Sequence, residues 1–190
     1  INTLLNNLTL IPDNSFYTLI HVYENAGWIY MQTKDYSKSN YYFSRAIDTY
    51  KSIPVSVEKK IKYAHTLYLH SVSLYRQREF EESKKYLLIS QNLISQITNP
   101  EESFDYSLGL KILGWVEKKL GNLNAAAENF SKALNIQKAL LDNKNTFLAH
   151  TYYCLSEIEY QLYEQSHDVI LGKKILDYII QSKKIYSIYD

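Results

Sequence analysis

An all-α fold of stacked antiparallel helix pairs is predicted by three features of the 190-residue sequence. Small and large residues recur at fixed offsets in successive segments. Five Gly and three Pro leave long stretches without a helix breaker. Helix-boundary signals fall between those stretches, so the breakers that are present punctuate the pattern rather than interrupt it.

Taken in order, a short opening helix is expected over residues 2–9. Further helices are expected near 14–33, 36–53, 55–77, 79–97, 101–120, 123–141, 146–163 and 168–188. Asp13 and Asn14 are placed to cap the first long helix, and Pro54 to close the second. Asn99-Pro100-Glu101-Glu102 reads as an N-cap followed by Pro at the first helical position, and Gly121 sits where a helix-terminating glycine belongs.

The recurring pattern is clearest in Gly27, Tyr30, Tyr36, Ser39, Phe43 and Ala46, and again in Gly114, Glu117, Leu123, Ala126, Phe130 and Ala133. Ser71, Leu74, Phe80, Ser83, Leu87 and Ser90 keep the same intervals. In a fourth copy Leu155 and Ser156 match Leu113 and Gly114, and the second half is stretched after Tyr163. With Gly27, Ser71, Gly114 and Ser156 all set at position 8, the units start at Ile20, Ala64, Ser107 and Ala149, in steps of 44, 43 and 42 residues. Small residues at positions 8, 20 and 27 let paired helices approach closely, and large ones fill the space between them.

These residues resemble the tetratricopeptide (TPR) family, whose units pair a helix A with a helix B. A standard unit has about 34 residues, so the longer period here is similar to the kinesin light chain variety. The resemblance implies a single domain, 1–190, forming a right-handed α-solenoid with units near 20–54, 64–98, 107–142 and 149–188. Residues 1–13 would be the remnant of a preceding unit.

Composition bounds the function. Lys and Arg number 21 against 20 Asp and Glu, so no global field draws the chain to nucleic acid or an anionic membrane. Cys154 is the only cysteine, which excludes an internal disulfide and fits a reducing, cytoplasmic setting. There is no apolar run of membrane-spanning length and no basic leader at the start. The Ile1 start suggests an excised portion of something longer.

No catalytic or cofactor motif is present: no phosphate-binding glycine loop, no nucleophile elbow, no zinc-ligand spacing. The expectation is a non-enzyme without cofactor or metal. His21, His65 and His150 all fall at position 2 and read as rim histidines that repeat because the units repeat. Cys154 reads as an inert, buried thiol.

In the family, helix-A positions 2, 5, 6, 9, 12 and 13 line a concave groove. Carried over, the candidates in unit one are Glu24, Asn25 and Trp28, with Met31 and Gln32 on the same stripe. In unit two they are Tyr68 and Arg76, with His65, Leu69 and Val72 beside them. Unit three offers Lys111, Trp115, Lys118 and Lys119, and unit four Tyr153 and Glu157. Asn25 occupies the position where peptide-binding relatives place a backbone-clamping Asn, but Leu69, Ile112 and Cys154 stand at its equivalents, so the repeated clamp is not kept. The unit-three lysines around an indole could receive carboxylates, or could simply complement a helix C-terminus.

The function implied is a protein- or peptide-binding scaffold that uses this groove, its partner carrying acidic groups. The alternatives are a ligand-sensing or regulatory portion of a larger signalling, transcription-regulatory or defence protein and, more distantly, a nucleic-acid-binding solenoid.

Overall fold

The computed structural model describes residues 15–53 and 56–189. Among them are eight α-helices and no strand: α1 Ser15–Gln32, α2 Tyr36–Lys51, α3 Val57–Arg76, α4 Phe80–Ser95, α5 Phe104–Lys119, α6 Leu123–Leu140, α7 Thr146–Ser166 and α8 Val169–Tyr186. The expected opening helix, the caps at Asp13 and Asn14, and Pro54 lie outside the described residues.

The chain forms two compact units divided between Ile97 and Thr98. In the first, α1 packs on α2, α2 on α3 and α3 on α4, and α1 also meets α3. In the second, α5 packs on α6, α6 on α7 and α7 on α8. The short turns joining successive helices make each pair antiparallel.

The small-large pattern is realised as direct contact. A β-carbon on Gly27 would stand 2.9 Å from the Phe43 ring, and one on Gly114 would stand 2.8 Å from the Phe130 ring. Each glycine is the socket for a fully buried phenylalanine. Burying such a ring is worth about 2–3 kcal/mol, which the helices obtain only by close approach. Unit two has serine at the two helix-B positions where unit three has alanine. There Ser83 Oγ donates to the Ser71 carbonyl at 2.8 Å and Ser90 Oγ to the Ala64 carbonyl at 2.7 Å. A buried hydroxyl is tolerated because its proton finds a carbonyl on the neighbouring helix.

The A-to-B turns share one geometry. Lys34, Arg78 and Gly121 each fall at position 15 of their unit and adopt left-handed backbone, with φ of 63°, 69° and 86°. The next amide closes the helix end by reaching back five residues: Asp35 to Tyr30, Glu79 to Leu74 and Asn122 to Glu117, at 2.9, 3.0 and 2.9 Å. In the fourth unit, position 15 is Tyr163, still within α7, and the left-handed residue is His167, four residues later, at φ 55°. One extra helical turn therefore accounts for the stretched spacing after Tyr163.

Two helix boundaries differ from expectation. Asn99 caps a 3-10 turn over Pro100–Glu102, its side chain accepting from the Glu101 amide. The α-helix starts later, at Phe104, where the Ser103 hydroxyl accepts from the Tyr106 amide. α7 continues to Ser166 rather than stopping at 163.

Candidate functional site

The helix-A stripes of α1 and α3 face a common cleft of about 780 Å³ within the first unit. Glu24, Asn25, Trp28, Met31 and Gln32 line it from α1. His65, Tyr68, Leu69, Val72 and Arg76 line it from α3. At about 100° per residue, positions 5, 6, 9 and 13 share one helical face, and the packing of α2 between the two helices turns both stripes the same way. Lys34 and Tyr36 complete the lining from the turn. Helical periodicity gave no signal for Lys34, because it is the left-handed turn residue itself.

The cleft has an apolar middle and a basic end. Trp28 is 47% exposed, high for an indole, and Met31, Leu69 and Val72 lie around the same space. Arg76 and Lys34 form no ion pair among the described residues, and Asn25 leaves both faces of its amide free there. Glu24 is the one acidic residue in the lining. Its carboxylate is already engaged: Oε1 accepts from the Thr66 hydroxyl and, at 3.2 Å, from the Tyr50 hydroxyl, while His21 Nδ1 lies 3.2 Å from Oε2. Thr66 and Tyr50 are buried, so Glu24 is a strut between α1, α2 and α3 more than a contact for ligand. Burial, with the Glu24 charge second, holds the Tyr50 hydroxyl far above its ordinary pKa.

In the second unit the candidate residues are mostly occupied by their own neighbours. Lys111 is only 7% exposed and its ammonium lies 5.6 Å from the Phe147 ring centre. Burial lowers its pKa below the ordinary lysine range. Trp115 stands edge-on to Phe130, centroids 5.3 Å apart, half-buried against the core. Lys118 Nζ lies 3.4 Å from Glu157 Oε1 and 5.0 Å from the Trp115 ring centre. Lys119 and Tyr153 are exposed. The lysine stripe is thus largely a packing feature between α5 and α7.

Cys154 is fully buried, and burial pushes its thiol up to about 12. His150 Nδ1 lies 3.4 Å from its Sγ. Burial, and then the Lys111 charge, lowers the His150 pKa, which makes the ring a weaker base toward that thiol.

Two buried polar residues were missed by reading the sequence. Gln137 donates to Ser107 Oγ at 3.3 Å and accepts from Thr151 Oγ1 at 2.7 Å, joining α5, α6 and α7. His70 is buried between Phe43 and Tyr86, with its Nδ1 unpartnered among the described residues. Gln137 lies outside the recurring positions, and His70 stands at position 7, where the third and fourth units carry Leu113 and Leu155.

The helix pairs, the glycine-phenylalanine sockets and the shared turn define an all-α protein of repeated antiparallel helix pairs. Residues 20–52 and 112–140 match the family described as tetratricopeptide repeat, covering α1–α2 and α5–α6. The fold is similar to that of BtubC (BKLC) from P. vanneervenii, with a TM-score of 0.75 and 16% identity over 90% of this chain and 64% of that one. It is also similar to the apo form of RapI, with a TM-score of 0.73 and 16% identity over 94% of this chain and 61% of that one. A Podosopora anserina protein of the kinesin light chain kind, with nearly identical TPR-like repeats, gives a TM-score of 0.66 and 10% identity over 90% and 76%. This chain thus spans 64% and 61% of the length of the first two. No curated protein sequence matches it significantly. Among the described residues, no helix is long and apolar enough to cross a membrane.

Proposed function

We propose that the chain is a protein-interaction scaffold whose α1–α3 cleft holds an extended peptide. An apolar side chain of the peptide lies against Trp28, and an acidic group faces Arg76 and Lys34. The observation that carries this reading is, among the described residues, a pair of cations without ion-pair partners beside an exposed indole, in a cleft whose one lining carboxylate is already engaged by Thr66 and Tyr50. An arginine fork and an ammonium left unpaired favour an incoming carboxylate, and the indole supplies apolar area at low entropic cost. Asn25 can pair with a peptide backbone through its amide.

Anisotropy titration of labelled peptides, each with one acidic residue and a neighbouring large apolar residue in an alanine background, tests this. The wild-type chain binds at least one member of the panel. Trp28→Ala and Arg76→Glu each weaken that binding by about tenfold or more, equivalent to about 1.4 kcal/mol, with helicity by circular dichroism unchanged. Equal binding by wild type and both variants sinks the proposal, as does failure of every peptide to bind.

A further inference from the structure

We infer that the basic end of the α1–α3 cleft receives a phosphorylated side chain of the bound peptide, with Gln77 as the positioning residue that holds its two cations in place. The inference rests on the reading of this cleft as a peptide site and names the acidic group that the site takes.

Arg76 is the last residue of α3, Lys34 sits in the turn between α1 and α2, and Tyr36 opens α2. Side-chain hydrogen bonds tie these segments to one another. Gln77 Nε2 donates to Ser37 Oγ at 2.8 Å, Asn40 Nδ2 donates to Gln77 Oε1, and Ser73 Oγ reaches the Tyr36 carbonyl at 3.5 Å. Because Gln77 directly follows Arg76, its amide fixes the end of α3 against the start of α2, where Arg76 and Lys34 share one lining. Cations placed in advance lower the ordering cost of binding.

The second compact unit supplies an internal comparison. At the repeat positions of Gln77 and Asn40 it carries Leu162 and Ala127, both packed against its apolar core. At the positions of Arg76 and Lys34 it carries Gln161 and Gly121. Packed helix pairs of this kind therefore need neither the amide bridge nor the cations, and the two features occur together in one unit and are replaced together in the other. A polar support that packing does not require, beside charges that packing does not use, is the arrangement of a prepared binding site.

The charge count names the group. Arg76 and Lys34 bring two positive charges and form no ion pair among the described residues. The neighbouring carboxylate of Asp35 is held by Lys38 at 2.8 Å, and Glu24 is engaged by Thr66 and Tyr50. One incoming carboxylate would neutralise half of that charge, whereas a phosphomonoester carries about −1.5 to −2 at neutral pH, with three acceptor oxygens. The arginine fork can take two of those oxygens and the lysine acts as a point charge. Gln32 and Tyr36 bring neutral donors to the same lining.

The test titrates labelled peptides that are identical except for one position, which is phosphoserine, Glu or Ser, beside a large apolar residue. The wild-type chain is expected to bind the phosphoserine peptide about tenfold or more tightly than the Glu peptide. Gln77→Leu with Asn40→Ala copies the residues of the second compact unit, so helicity and thermal midpoint are expected to persist. In that variant the Ser peptide should bind as before, while the advantage of phosphoserine over Glu falls to about threefold or less. Arg76→Gln, at an exposed position, is expected to lower the advantage in the same way, whereas Trp28→Ala weakens both acidic peptides and leaves their ratio unchanged. Equal binding of the phosphoserine and Glu peptides overturns the inference, and if that binding still depends on Trp28 and Arg76, the cleft reading stands without it. An unchanged ratio in Gln77→Leu with Asn40→Ala also overturns it, as does a peptide with two adjacent Glu that binds as tightly as phosphoserine, or inorganic phosphate that binds as tightly as the phosphopeptide. Failure of every peptide to bind ends both readings.

Discussion

The α-carbon of Gly114 lies so close to the Phe130 ring that a β-carbon there would come within 2.8 Å of Cε2. Phe130 is fully buried and cannot swing aside. Gly114→Ala gains about 1 kcal/mol of helix propensity and loses about 1–3 kcal/mol to overpacking, so a net destabilisation is expected. Thermal unfolding should show a lower midpoint for Gly114→Ala, and likewise for Gly27→Ala against Phe43. A midpoint equal to or above wild type would mean that the ring relaxes.

Arg78 occupies the same left-handed turn position as Gly121 but carries a side chain. Its φ of 69° sets a β-carbon against the backbone, a conformation that glycine adopts without that cost. Arg78→Gly should stabilise the protein by about 0.5–1 kcal/mol, read as a shifted urea midpoint with unchanged slope. Gly121→Ala should move it the other way.

Glu24 holds three helices together through Thr66 and Tyr50. Glu24→Ala leaves both buried hydroxyls without that acceptor and should cost about 1–3 kcal/mol in chemical denaturation. A variant as stable as wild type would return Glu24 to the role of a free cleft residue.

His70 supplies a pH dependence. Burial lowers its pKa to about 4, with Glu82 opposing and Lys51 assisting the shift. Its unfolded value is 6.5, so the unfolded chain takes up a proton first as pH falls. Stability attributable to neutral His70 is complete above pH 6.5 and is lost between pH 6.5 and about 4, at up to about 1.4 kcal/mol per pH unit. Unfolding free energies measured across that interval should fall less steeply in His70→Phe, whose ring suits the site between Phe43 and Tyr86.

Lys111 is buried and forms no ion pair among the described residues. Replacing a buried, unpaired cation by an apolar side chain of similar length removes a desolvation cost. Lys111→Met should therefore match or exceed wild-type stability. A loss of more than about 1 kcal/mol would show that the ammonium's contact with Phe147 outweighs its burial.

The helix pairs were legible in the chain because small and large residues must recur wherever helices approach closely, and Gly27, Phe43, Gly114 and Phe130 record that requirement residue by residue. The family's helix-A positions, carried over, pointed to Asn25, Trp28, Tyr68 and Arg76, which lie along one cleft. Other features depended on partners distant in sequence. The left-handed turns at Lys34 and Arg78 carry no glycine to announce them, and the extra turn of α7 shows only where His167 ends it.

The difference between Arg76 and Lys118 is the same lesson in charges. Both are cations near the end of an A helix, and the repeat pattern puts them on corresponding stripes. The folded chain sets Lys118 against Glu157 and Trp115, leaves Arg76 lining an open cleft and buries Lys111. Period and residue size are local properties, whereas the pairing and solvation of a charge depend on whichever side chain another helix brings within a few ångströms.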